Sequence, residues 1–396
     1  AEMKIMNAVS GVLLIDCWPG APGEAHTRAI QNALHQRGLA TRYLVLNRYQ
    51  IDAFGEASWR SIEPQILRIL REFSPELVIS YGYHAPKFLR KEWFEASGAV
   101  WLQAVSNIAY YDTAYYPGEQ TALIEEHLIP YFQKRGAPHP FFIPLMADYV
   151  AERPLPTSRQ IPIVFVGNSL GLAPPAVQEF FARWAGRDDL IEAIRAAEAE
   201  LGVFSPEKNL YQYLVQNRLP QLESEAEEYA IFRYLLCQGS AARRRTLLER
   251  IAGMGLHLFG GDWKAYLPPE SPLHGCFRGY LPMKEETKAL SAGHIFVNIH
   301  SIGHVTGPNM RFFNVAGLGG FQISDGPLFR RYLEPGEETV YYSSEEEFVD
   351  GVRFYLQNVP AAEAIRAQAQ ERVRRDWTYS NWLDQVFALL NLTPEG

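Results

Sequence analysis

The stretch Thr306–Asp325, TGPNMRFFNVAGLGGFQISD, holds the residue types that a nucleotide diphosphate requires. Gly307-Pro308 reads as a tight turn, and a short helix begins near Asn309. Gly317, Gly319 and Gly320 stop that helix before a short apolar strand, Phe321–Ile323, which closes at Asp325. A helix start leaves backbone N–H groups unpaired and carries partial positive charge, so it suits a phosphate. Arg311, one turn in, adds a planar guanidinium able to grip phosphate oxygens in pairs. Taken alone, the same loop–helix–Gly–strand unit serves equally as α/β scaffolding.

Nearby strand ends add further candidates. Gly167-Asn168 closes the apolar run Ile163–Val166, either touching phosphate or sugar or forming a plain strand-to-helix turn. Gly260-Gly261-Asp262-Trp263 closes Leu256–Phe259. Glycine there permits close backbone approach, and Trp263 either stacks on a base or belongs to the core. His300, with Ser301 and His304, precedes the diphosphate helix and offers a proton or hydrogen bond to a departing diphosphate, or is a solvated loop histidine.

The elements that must position these groups alternate. In the first 150 residues, strand-like Gly11–Cys17, Thr41–Leu46, Leu77–Tyr81 and Ala99–Ala104 are separated by helical Glu24–Arg37, Ile62–Glu72 and Ala85–Ser97. Continuous apolar strands divided by helices predict a parallel sheet covered on both faces, with ligands beyond the strands' carboxyl ends. Ala151–Pro162 reads as a linker. A second series follows: strands Ile163–Val166, Leu256–Phe259, Ile295–Ile299 and Thr339–Tyr342, helix Met283–Ser291, and a helical insertion at about 174–254. The expectation is two doubly wound, Rossmann-like α/β domains.

The ordered set NMRFFNVAGLGGFQISD, PGEETVYY and RVRRDWTYSNWLDQVFALL resembles the C-terminal half of the CgeB/YkvP-like glycosyltransferases of the GT-B fold. IVFVGN (Ile163–Asn168), LHLFGGDW (Leu256–Trp263) and HIFVNIH (His294–His300) agree with it, over roughly residues 160–392. The resemblance implies GT-B architecture, with two domains facing across a cleft. They are an acceptor domain over 1–155 and a donor domain over 156–376, with a helix in 377–396 returning to the first. It implies transfer of a sugar, hexosyltransferase-like, from a nucleotide-diphosphate-sugar (UDP-type) co-substrate to a hydroxyl, with no other cofactor. The family's N-x-R-x-F-E helix faces the donor; Asn309 and Arg311 match it. Its Glu, which would hold the ribose, is Asn314 here, a weaker hydroxyl partner. His294 stands where the family often has Lys or Arg. A nucleotide-sugar epimerase of the same fold and a non-catalytic nucleotide-sugar-binding protein are the rival readings.

The acceptor side is less specific. Asp16 and His26 flank the loop after the first strand and are candidate bases, with Trp18 bordering the same loop. Tyr83 and His84, then Tyr110 and Asp112, follow later strands; rings and hydroxyls there suit sugar recognition, or simple packing. No metal ligand set is visible: no Asp-x-Asp at a strand end, no HExxH, no Cys/His cluster.

At 396 residues the chain predicts two domains, and a net charge of −8 without a basic stripe argues against nucleic acid. No run of about 18 apolar residues appears, so no membrane span is expected. Cys17, Cys237 and Cys276 lie far apart and read as reduced thiols of a cytoplasmic protein. The acceptor is then a small molecule or a glycan; oligomeric state is left open.

Overall fold

The computed structural model describes residues 7–16, 21–45, 56–81, 91–105, 115–116, 118–151, 160–205, 208, 210–211, 213, 219–220 and 222–394. The chain divides into two compact units: Ala1–Asp148 with Trp377–Gly396, and Tyr149–Asp376.

In the first unit, β1 (Asn7–Val9) pairs in parallel with β14 (Leu392–Pro394). A parallel six-stranded sheet comprises β2 (Gly11–Asp16), β3 (Ala40–Val45), β4 (Leu77–Tyr81), β5 (Val100–Val105), β6 (Glu119–Leu123) and β7 (Pro140–Phe142), in the order β3-β2-β4-β5-β6-β7. The unbroken apolar runs of β2 and β4 are buried because helices cover both faces. Strands β6 and β7 escape a reading by periodicity, since one opens on Glu119 and Gln120 and the other is three residues with a proline.

A row of polar side chains crosses one face of this sheet. Ser80 Oγ donates to Gln103 Oε1 at 2.6 Å, and Thr121 lies opposite Gln103 in register. Glu119, two residues before Thr121, accepts one hydrogen bond from the Tyr116 N–H at 3.1 Å, and its other oxygen is buried without a partner. Burial pushes the Glu119 carboxyl up to about 7.

The C-terminal helix Tyr379–Leu390 starts on a capping box between Thr378 and Asn381 and packs on helix Ala21–His35. Arg37 ties them, donating to the Ser380 carbonyl and to Asp384, each at 2.7 Å.

In the second unit, β8 (Ile161–Val166), β9 (Leu256–Phe259), β10 (Phe277–Gly279), β11 (Gly293–Asn298), β12 (Gln322–Ser324) and β13 (Val340–Tyr341) form a second parallel sheet, ordered β10-β9-β8-β11-β12-β13. Between β8 and β9 lie helices Pro174–Ala182, Asp188–Gly202 and Glu225–Ile251, the last started by the Ser224 side chain accepting from the Glu227 N–H. Strand order reverses between β8 and β11. At such a switch point the crossovers leave in opposite directions and open a crevice beyond the strand ends. Val166 and Asn298 end those two strands, so Gly167–Ser169 and Ile299–His300 border the crevice.

Candidate donor site

The helix expected to face a diphosphate forms over Met310–Gly317, with Asn309 as its cap: the Asn309 side chain accepts from the Phe312 N–H at 3.0 Å. Asn309 Nδ2 also donates to Asn298 Oδ1 at 2.9 Å, which fixes the helix start to the end of β11. Among the described residues the first-turn N–H groups of Met310 and Arg311 have no protein partner. Arg311 Nε donates to Glu286 Oε1 at 2.7 Å, and its terminal nitrogens have no partner among the described residues. The pair turns the planar fork of Arg311 without consuming it.

His300 is buried at 3% exposure. Its Nδ1 lies 2.5 Å from Asp325 Oδ1, and its backbone N–H donates to the same carboxylate at 3.0 and 3.1 Å. Its Nε2 is buried with no protein partner. The ring rests on Phe329 at 4.5 Å between centroids. His304 follows in the turn; burial, and then its neighbours His300 and Arg244, push it down to about 3. It is therefore neutral near pH 7, and its Nδ1–H donates to the Gly307 carbonyl at 2.9 Å. Gly307-Pro308 is thus braced by His304, while the Thr306 carbonyl accepts from Arg331 and Tyr332.

The loop after β8 is tied internally. The Gly167 N–H donates to the Phe259 carbonyl, Ser169 and Leu170 N–H both donate to Asp262, and the Leu172 N–H donates to Gln238. These amides are spent, so this loop is no phosphate cradle. Asn168 Oδ1 accepts from the Gly261 N–H at 2.8 Å. Asn168 and Gly261 are both exposed residues.

Two expectations are corrected, for Trp263 and for Asn314. Trp263 is fully buried, its Nε1 donating to the Gly167 carbonyl at 2.7 Å and its ring edge-on to Phe165, so no face is open to a base. Asn314 is 5% exposed and accepts from the Tyr149 N–H at 3.3 Å, so it holds backbone where a ribose contact was expected. His294 is buried with Nε2 against the Tyr355 carbonyl.

On the acceptor side, Asp16 and His26 are both fully buried within the first unit. Asp16 accepts from the Tyr43 hydroxyl at 3.2 Å. His26 Nδ1 is bound by Asp148 and lies 2.9 Å from the Tyr379 hydroxyl. Neither is an exposed base; His26 joins helix Ala21–His35 to Asp148 and to the C-terminal helix. Trp18, Tyr83, His84, Tyr110 and Asp112 lie outside the described residues. No group of three or more His, Cys, Asp or Glu among the described residues could hold a metal ion.

Three residues escaped the sequence reading. Asp325 marks a strand end but nothing in sequence pairs it with His300. Arg244 lies inside a long helix and looks like one of a short basic run. Tyr280 follows β10, a strand too short to predict; its ring is 67% exposed and borders Gly261.

A glycosyl transferase-like family model matches residues 243–388, the part of the chain that carries Arg244, His300, Arg311 and Asp325. T4 phage β-glucosyltransferase, solved with its UDP-glucose substrate, superposes with a TM-score of 0.54 at 8% identity, covering 96% of this chain and 100% of that one. Sucrose-phosphate synthase from Thermosynechococcus elongatus gives 0.51 at 11% identity over 96% and 98%. A glycosyltransferase from Rickettsia africae gives 0.51 at 8% over the same shares. No curated protein sequence matches significantly. The fold is GT-B, and with the family match over residues 243–388 it supports a glycosyltransferase. The narrower CgeB/YkvP-like assignment remains a resemblance.

Proposed function

We propose that this protein moves a sugar, as a hexosyltransferase-like enzyme, from a UDP-type nucleotide-diphosphate donor to a hydroxyl acceptor without a metal ion. The observation that carries the reading is the grouping at one switch point of a fixed imidazole, His300, with the capped helix start at Asn309 and the open end of Arg311. As the sugar–phosphate bond breaks, negative charge builds on the diphosphate. Arg311 and the N–H groups of Met310 and Arg311 stabilise it, and His300 Nε2 donates a hydrogen bond or proton to a phosphate oxygen. These cationic and dipolar groups take the part that a divalent ion plays elsewhere.

The exposed ring of Tyr280 supplies the flat surface on which the base stacks. The acceptor is a small-molecule or glycan hydroxyl: the net charge of −8 supports that over a nucleic acid. No helix among the described residues is long and apolar enough to cross a membrane, and Cys237 and Cys276 are unbridged, which fits a cytoplasmic enzyme. The test is release of free UDP from UDP-glucose, with and without sugar acceptors, in excess EDTA. Acceptor-stimulated release is expected. Isomerised donor would make it an epimerase; neither product would make it a binding protein; loss of release restored by one divalent ion would remove the metal-free mechanism.

A further inference from the structure

Arg244 sits in the middle of helix Glu225–Ile251 with its guanidinium buried, at 8% exposure, beneath the switch point. Its Nε and Nη2 both donate to the Ile299 carbonyl at 3.2 Å, and its Nη1 donates to the Asn168 carbonyl at 2.6 Å. Those two carbonyls lie just past the ends of β11 and β8, in the loops that border the crevice. A guanidinium has five N–H groups. Three are engaged, so one on each terminal nitrogen remains, and among the described residues neither has a partner.

No carboxylate among the described residues lies within ion-pair distance of this cation. Carbonyl dipoles satisfy its hydrogen bonds but leave its charge whole, and a buried charge without a counter-ion is costly. Its surroundings carry both signs: Arg311 opposes its charge, while Asp325 and Asp262, beyond ion-pair distance, favour it. Burial first, and then the charge of Arg311, push Arg244 down to about 10, and Arg244 in turn is one of the causes that depress His304. Two guanidinium groups, two histidines and a single carboxylate, Asp325, which His300 already holds, therefore lie together where His300 Nε2 is also buried without a partner.

We propose that Arg244 is a second cation of the diphosphate site, completing with Arg311 a pair whose counter-ion is the diphosphate of the bound nucleotide. The inference rests on the donor site proposed above and adds to it a residue from a different element. The diphosphate relieves the repulsion between the two guanidinium groups and accepts the two remaining Arg244 N–H groups. It also fixes the Asn168 and Ile299 carbonyls, so that donor binding stiffens the peptide that carries His300.

The test is calorimetric titration with inorganic pyrophosphate, which reports the phosphate subsite independently of base and sugar. The protein variants are wild type, Arg244→Gln and Arg244→Lys, each checked for folding by melting and circular dichroism. Wild type is expected to bind; Arg244→Gln should bind at least about tenfold more weakly, and Arg244→Lys should recover part, as a point charge without the fork. Uridine affinity should be the same in all three. A folded Arg244→Gln that binds pyrophosphate as wild type does overturns the role of Arg244 and leaves the donor site standing. Failure of wild type to bind pyrophosphate overturns both. Should Arg244→Gln not fold, wild-type crystals soaked in selenate decide. An anomalous peak within hydrogen-bond reach of both Arg244 and Arg311 sustains the proposal; a peak on Arg311 alone, or no peak, overturns it.

Discussion

Asp325 holds His300 at two points, the ring at 2.5 Å through Nδ1 and the backbone N–H at 3.0 Å. From the other side of the same peptide, Arg244 grips the Ile299 carbonyl. The imidazole is therefore fixed in place and orientation. Its Nδ1 is committed to the carboxylate, and Nε2 is the ring nitrogen left without a protein partner. A carboxylate that orients an imidazole in this way also stabilises the imidazolium form that donates to a leaving group.

Removing either partner should lower turnover. His300→Ala should reduce kcat by about 10²-fold, the range of a lost acid–base contribution. Asp325→Ala should come close to that loss, and Asp325→Asn should fall between, since an amide oxygen can still accept but carries no charge. Steady-state kinetics with UDP-glucose checks this. Asp325→Ala with wild-type kcat would mean that His300 is not oriented for the reaction by Asp325.

Trp263 and Tyr280 should separate cleanly. Trp263→Phe strands the Gly167 carbonyl and should destabilise the protein by about 1–3 kcal/mol while leaving UDP affinity unchanged. Tyr280→Ala, at an exposed ring, should leave the melting temperature nearly unaltered and weaken UDP by about tenfold, a stacking contribution of about 1–3 kcal/mol per base. Melting curves and UDP titrations of both variants decide it. A stable Trp263→Phe protein that loses UDP would return the base to Trp263.

Glu119 gives the first unit a pH dependence. Its carboxyl is raised in the folded protein from 4.5 to about 7 by burial. Between those values the folded protein keeps a proton that the unfolded chain has lost. Its contribution is thus fully present below pH 4.5 and is lost as pH rises through about 7. Glu119→Gln, neutral at every pH, should therefore be more stable than wild type at pH 8 by about 1–3 kcal/mol, with the difference shrinking toward pH 5. Chemical denaturation at both pH values measures it. The same stability change at both would mean that Glu119 does not titrate in this window.

The sequence carried much of the scaffold, because long apolar strands such as Gly11–Asp16 and Ile161–Val166 need both faces covered and so announce a parallel sheet. The helix start at Asn309 was legible for a local reason: cap, turn and glycine stop lie within one short segment. What stayed hidden was set by distance along the chain. His300 and Asp325 meet only because β11 and β12 are neighbours, and Arg244 reaches Asn168 and Ile299 only because its helix lies under the switch point. Burial also reversed local readings. Trp263 and Asn314 have the residue types of ligand contacts, but the strand-end carbonyl of Gly167 and the backbone of Tyr149 claim them first.

The measurement that bears most directly on the account is calorimetric titration of UDP and of uridine against wild type and Arg311→Ala. On the proposed function the site takes a diphosphate, with the base held elsewhere. Wild type should bind UDP far more tightly than uridine, and Arg311→Ala should lose about 2–4 kcal/mol of UDP affinity with uridine unaffected, the range of a preorganised charge-assisted contact. Arg311→Lys should recover only part of it, because the fork is lost. Equal UDP affinity in wild type and Arg311→Ala would contradict the account, leaving Arg311 as no more than the partner of Glu286.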